Sequence, residues 1–303
     1  MTDLAIPDRV LFFPVTAFDA HDRVDADLVE QHVAGALAHE PGAVFAACGT
    51  GEFHTLSLED VRAAVAAAVR ATAGRVPVIA GAGGPLGHAV ACARIAAEAG
   101  ADGLLVMPPY LVGAPQEGLI AYVEQIAAAS DLPVIVYHRA NAQFSPGSVA
   151  RLLQNPRVVG IKDGAGDVAL AQQFVLEAAR AQRDVLFFNG LLTAELSQAA
   201  YTAIGVPMYS SAVFAMLPEV AVAFFSAHRS GDTARQRALL EGFYAPLVAL
   251  RDETPGFAVS LIKAGVRLSG LDVGSVRAPL IDPSPDQLAR LAALLERGRE
   301  LAA

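Results

Sequence analysis

The sequence predicts a single (β/α)8 barrel with a helical extension at its C-terminal end. Short apolar runs alternate with longer, Ala-rich amphipathic stretches, as buried parallel strands alternate with the helices that cover them. There are eight such runs with seven helical patterns between them, and no linker or shift of composition separates them. At 303 residues and 54% apolar side chains the chain exceeds most domains, but single α/β barrels routinely reach this size.

The runs lie at 10–15, 43–47, 76–80, 103–107, 134–137, 158–161, 185–188 and 206–209, each rich in Val, Ile, Leu or Phe. Helical patterns fill 25–39, 57–73, 86–99, 116–129, 146–154, 167–182 and 193–203. Ser57-Leu58-Glu59-Asp60 offers a cap followed by acidic residues in the first turn. Gly74, Gly100 and Gly205 stand where helices should stop. A doubly wound sheet would place a Gly-x-Gly-x-x-Gly turn after the first strand, and none is there. The glycine-rich stretch 82–87 follows the third run instead and reads as a tight strand-to-helix turn. Residues 1–212 therefore form the expected barrel. Residues 213–303, with patterns near 214–230, 232–251, 256–268 and 284–301, form an all-helical extension packed on it.

Composition removes several function classes. The net charge is −9 and no basic run is present, which argues against nucleic acid and acidic membrane surfaces as partners. No window reaches the ~18 uninterrupted apolar residues of a membrane span. The N-terminal residues lack the basic and apolar regions of a secretory leader. Cys48 and Cys92 are too few for a disulfide framework, so reduced thiols in a cytoplasmic protein are expected. His54 and His138 have no metal-ligand spacing, and no metal is expected.

In a barrel the active site lies where the strands end, and there the polar residues collect. The chain has 20 arginines and two lysines, Lys162 and Lys263. A lysine kept in such a chain is a candidate for chemistry that arginine cannot perform, because arginine cannot lose its proton and form an imine. Lys162 ends the sixth run, against low-dielectric walls that favour the neutral amine. Lys263 sits within a helical pattern and reads as part of a helix face. Tyr137 ends the neighbouring fifth run and could carry protons for an imine at Lys162. Gly49 and Thr50 offer backbone N–H groups and a hydroxyl as a carboxylate cradle, and Arg139 offers a planar fork for a second carboxylate. Asn189, Ser210 and Ser211, at the ends of the seventh and eighth runs, are candidates for orienting substrate hydroxyls. The residues thus point to a Schiff-base enzyme for a 2-keto acid.

Read in order, Phe12-Phe13-Pro14-Val15-Thr16-Ala17-Phe18, Gly49-Thr50-Gly51-Glu52, Gly100-Ala101-Asp102-Gly103, Tyr110, Tyr137 and Gly160-Ile161-Lys162-Asp163 resemble the landmarks of the dihydrodipicolinate synthase/N-acetylneuraminate lyase family. The resemblance covers nearly the whole chain. It implies that Lys162 forms the imine, Tyr137 assists proton transfer and Thr50 holds the carboxylate beside the ketone. The family usually has two threonines before Gly-Glu; here Gly49 takes the first place and opens space beside that carboxylate. The stretches 49–53, 108–112, 162–167 and 207–214 are closest to family members that dehydrate and decarboxylate a keto-deoxy sugar diacid. That resemblance implies no metal or organic cofactor, and a homodimer or homotetramer in which Tyr110 reaches a neighbour's site. Within the same family, an aldolase or synthase using pyruvate is the alternative.

Overall fold

The computed structural model describes residues 4–303; Met1, Thr2 and Asp3, part of the segment read for a leader, lie outside the described residues. Eight parallel strands close into a barrel in chain order: β1 (Leu11–Phe12), β2 (Ala43–Ala46), β3 (Val78–Gly84), β4 (Gly103–Pro109), β5 (Val134–His138), β6 (Val158–Asp163), β7 (Leu186–Asn189) and β8 (Met208–Ser211). Helices α1 (Ala26–Ala36), α2 (Leu58–Thr72), α3 (Leu86–Glu98), α4 (Gln116–Ala127), α5 (Pro146–Leu152), α6 (Val168–Arg180) and α7 (Gln198–Ala203) connect them. Beyond β8 the chain is helical: α8 (Pro218–Ser230), α9 (Thr233–Leu239), α10 (Ala245–Arg251), α11 (Phe257–Leu268) and α12 (Pro285–Ala302). No helix of the described residues is long and apolar enough to cross a membrane.

Because successive strand residues face opposite ways, the strands feed two cores. Leu11, Phe13, Phe45, Ile79, Leu105, Ile135, Phe188 and Met208 fill the barrel interior. Val10, Phe12, Val44, Ala80, Leu104, Val136 and Ile161 pack outward under the helices. Phe13 and Phe45 stack with centroids 4.4 Å apart and form part of the floor on which the site rests. The expected cap of α2 is a full capping box, with Ser57 and Asp60 each accepting from the other's backbone N–H.

Three local expectations need correction. The first strand is two residues long rather than six; Pro14, without an N–H, cannot continue its ladder. Residues 82–84 are not a turn, because β3 runs on through Gly84 and pairs with Pro109. Strand continuation there relies on absent side chains: a Cβ on Gly83 would lie 2.4 Å from that of Met107. The helix expected at 232–251 is split by a π-turn at Leu240–Tyr244.

Candidate active site

Lys162 on β6 stands beside Tyr137 on β5 in strand register. Alternation along β6 turns Ile161 and Asp163 outward, where Asp163 accepts a hydrogen bond from the Tyr201 hydroxyl, and leaves Lys162 facing the barrel axis. Its ammonium nitrogen lies 3.9 Å from the Phe13 ring centroid, 4.4 Å from that of Tyr137 and 5.7 Å from that of Phe188. Only 5% of the residue is exposed, and it has no ion-pair partner among the described residues. Burial lowers its pKa from 10.5 to about 7; Cys48 opposes the shift and the Arg139 cation adds to it. That drop is equivalent to about 5 kcal/mol, whereas a cation–π contact stabilises the ammonium by ~0.5–2 kcal/mol. Desolvation wins, and a large fraction of the amine is neutral near pH 7. Gly190, just past β7, makes the room: a Cβ there would sit 2.2 Å from Cε of Lys162.

The Tyr137 hydroxyl donates to the Gly190 carbonyl at 3.1 Å and accepts from Nη1 of Arg139 at 2.9 Å. Burial raises the pKa of the phenol, with the Arg139 cation opposing, so the proton stays on at neutral pH. Above these groups opens a cavity of about 450 Å³ whose walls include Gly49, Thr50, His54, Tyr137, Arg139, Lys162, Gly190 and Ser210. Residues from the helical extension, Gly256, Ala258, Val259 and Leu280, complete the wall. Although the chain is acidic overall, no Asp or Glu lines this cavity among the described residues. With the Arg139 guanidinium in its wall and no carboxylate of those residues to oppose it, the cavity suits an anion.

The depressed lysine pKa sets a pH profile. Borohydride trapping of a 2-keto acid on the protein should accelerate as pH rises through about 7, where the amine loses its proton. A midpoint close to that of an ordinary lysine would mean that the amine is solvated.

The dihydrodipicolinate synthetase family model matches residues 7–297. The chain belongs to this family. A probable 5-dehydro-4-deoxyglucarate dehydratase of Streptomyces coelicolor is 53% identical over 301 residues, covering 98% of this chain and 95% of that protein. A relative of the same description from Paracidovorax citrulli is 42% identical, covering 95% of this chain and 94% of its own. Among solved structures, a dihydrodipicolinate synthase from Bacillus anthracis superposes with a TM-score of 0.85 at 26% identity, over 96% of this chain and 99% of that one. A prophage protein of the same family from E. coli K12, solved with pyruvate, gives a TM-score of 0.83 at 25% identity, over 96% and 98% of the two chains.

In this member of the dihydrodipicolinate synthetase family the structure gathers Lys162, Tyr137, Gly49, Thr50, Arg139 and Ser210 around one cavity. It does not bring Asn189 and Ser211 there. Phe188 and Ser210 point inward, so their neighbours point out. Asn189 is buried beneath α7, its amide donating to Ala194, Ser197 and Gln198. Ser211 donates to Glu195 at 2.5 Å. Tyr110 is 63% exposed and outside the cavity wall, next to Leu111 and Val112, which are exposed as well.

Two features went unread in the sequence. His54, considered only as a metal ligand, lines the cavity; burial pulls its pKa down, against the nearby Glu52. No group of three potential ligands stands together among the described residues. Lys263 does lie on a helix, but on its buried side, where it pairs with Glu52 at 2.7 Å with both side chains fully enclosed. Its scarcity value as one of two lysines was the available signal.

Proposed function

We propose that the chain is a Schiff-base lyase that converts 5-dehydro-4-deoxy-D-glucarate to 2,5-dioxopentanoate, water and carbon dioxide, in the cytoplasmic breakdown of sugar diacids. The observation that carries this reading is the buried, pKa-depressed Lys162, without an ion-pair partner among the described residues, beside Tyr137 in a cavity that no carboxylate of those residues lines. The names of the relatives at 42% and 53% identity support the choice of substrate.

The neutral amine of Lys162 attacks the C5 ketone, and loss of water gives an iminium. Gly49 and Thr50 hold the C6 carboxylate beside it, and Arg139 faces the distal C1 carboxylate while one of its N–H groups supports Tyr137. The iminium acidifies C4. Tyr137 gives its proton to the carbinolamine hydroxyl as that leaves; the phenolate, held by Arg139, then takes a proton from C4 to give an enamine and passes it to the C3 hydroxyl, which departs as water. Ser210, which lines the cavity and whose hydroxyl makes a long 3.4 Å contact to the Asn189 carbonyl, is placed to bind a substrate hydroxyl. The C3–C4 double bond now joins C2 to the iminium. Electrons of the C1–C2 bond flow into that system as carbon dioxide leaves, and protonation followed by imine hydrolysis frees the product. One amine is the electron sink for both eliminations, with no metal or organic cofactor in the sequence of steps. The exposed Tyr110-Leu111-Val112 run supplies an apolar face for assembly as a homodimer or homotetramer.

Substrate labelled at C1 should release labelled carbon dioxide in step with 2,5-dioxopentanoate. Pyruvate as co-product, with label kept in a three-carbon fragment, would instead identify a retro-aldol lyase and overturn the reading.

A further inference from the structure

We propose that Glu52 is a positioning residue that fixes three walls of the substrate cavity through Lys263 and Arg277. The inference rests on the assignment of Gly49 and Thr50 to the substrate carboxylate. Glu52 closes the turn that carries both: its N–H donates to the Gly49 carbonyl at 3.1 Å. Its backbone is left-handed, with φ 59°, a conformation that a non-glycine residue keeps only where its surroundings hold it. The carboxylate is what they hold. One oxygen accepts from Lys263 Nζ at 2.7 Å and the other from the Arg277 backbone N–H at 2.8 Å. Lys263 belongs to α11, and Ala258 and Val259 in the first turn of that helix line the cavity. Arg277 belongs to the irregular segment between α11 and α12, and Leu280, three residues on, lines it too. The Lys263 ammonium and the Arg277 guanidinium each lie 3.9 Å from the ring centroid of Phe18. The Arg277 side chain is further tied to Asp60 at 2.7 Å and Asp22 at 3.1 Å.

Stability alone is a poor reason for this arrangement. Desolvating two ions offsets most of their attraction, and a well-packed apolar pair commonly stabilises a core as well or better. What an ion pair adds is a fixed distance between elements 211 residues apart in sequence. Here that distance sets the turn that carries the carboxylate cradle against α11, whose first turn lines the same cavity.

The test compares wild type with Glu52→Gln, Lys263→Met and the double variant E52Q/K263M. Each single change leaves a buried group unpaired and should lower Tm; the double change removes both charges and should restore most of it. The double variant should nevertheless need about tenfold more pyruvate for half-maximal borohydride trapping, and about tenfold more diacid in turnover, since small misplacements weaken a preorganised site. The trapping rate at saturation and its pH midpoint, properties of Lys162, should not move. In hydrogen exchange, the peptides holding 49–52 and 256–260 should lose protection together. A stable double variant with wild-type half-saturation and unchanged exchange at 49–52 would overturn the proposal, leaving the pair as part of the core. If wild type failed to turn over the diacid, the substrate reading would fall. Pyruvate trapping and hydrogen exchange would still decide the role of Glu52.

Discussion

Replacing Lys162 with alanine should abolish turnover, by about 10⁴-fold or more, and with it every borohydride-stable adduct on the protein. The size of the effect follows from chemistry that no other side chain in the cavity can supply. An arginine such as Arg139 does not form imines with ketones, and neither does the imidazole ring of His54. Lys162→Arg should therefore be as inactive as Lys162→Ala, although it keeps a positive charge. The fold should tolerate the alanine change. Lys162 has no ion-pair partner among the described residues and is buried in good part as a neutral amine, so its removal orphans no counter-charge. The vacated volume opens into an existing cavity of about 450 Å³, and solvent can fill it. Circular dichroism and Tm should stay near wild type while activity disappears. Peptide mapping gives a clean answer, because the only other lysine in the sequence is Lys263. That amine is fully enclosed and paired with Glu52, and it should carry no adduct. An adduct found on Lys263 would remove Lys162 from the mechanism.

Strand existence and order were legible because buried parallel strands must be apolar along their whole length, and eight such runs mark themselves. The same uniform polarity hides which way each residue points. At a strand end, one residue faces the cavity and the next faces the helices, and nothing in Tyr209-Ser210-Ser211 says which serine is which. The barrel decides it: Met208 packs inside, hence Ser210 does, and Ser211 turns to Glu195. Asn189 follows the same parity after Phe188. Lysine at 162 escaped this ambiguity only because its chemistry, rather than its spacing, singled it out. The extent of β3 was hidden for a different reason. Glycines usually mark turns, but Gly83 serves a close approach between strands, and that need is visible only once Met107 is beside it. Glu52 and Lys263 were each in view, one in a motif and one in a helical pattern. Their pairing joins the barrel to the extension, and no local pattern encodes a contact of that range.

Tyr137→Phe should lower kcat by ~10²–10⁴-fold, the usual contribution of a positioned acid or base, while leaving the protein folded. The substitution removes one oxygen and keeps the ring that packs 4.4 Å from the Lys162 nitrogen. The lost oxygen has two partners. Without it the Gly190 carbonyl loses a donor and Nη1 of Arg139 loses an acceptor; both face a cavity that admits water, so the cost to stability should be about 1 kcal/mol. Catalysis has no such substitute. The phenol keeps its proton at neutral pH because burial raises its pKa, and it can lend that proton to a departing hydroxyl without first becoming a phenolate. Arg139 then stabilises the transient phenolate across the 2.9 Å contact until the proton returns. The loss should therefore fall on kcat and not on KM, and it should be largest for the dehydration step. Single-turnover mixing would show this as an imine that forms and accumulates on Lys162 but releases carbon dioxide slowly. Wild-type kcat in the phenylalanine variant would assign the proton relay to another group, of which His54, lining the same cavity, is the nearest in kind.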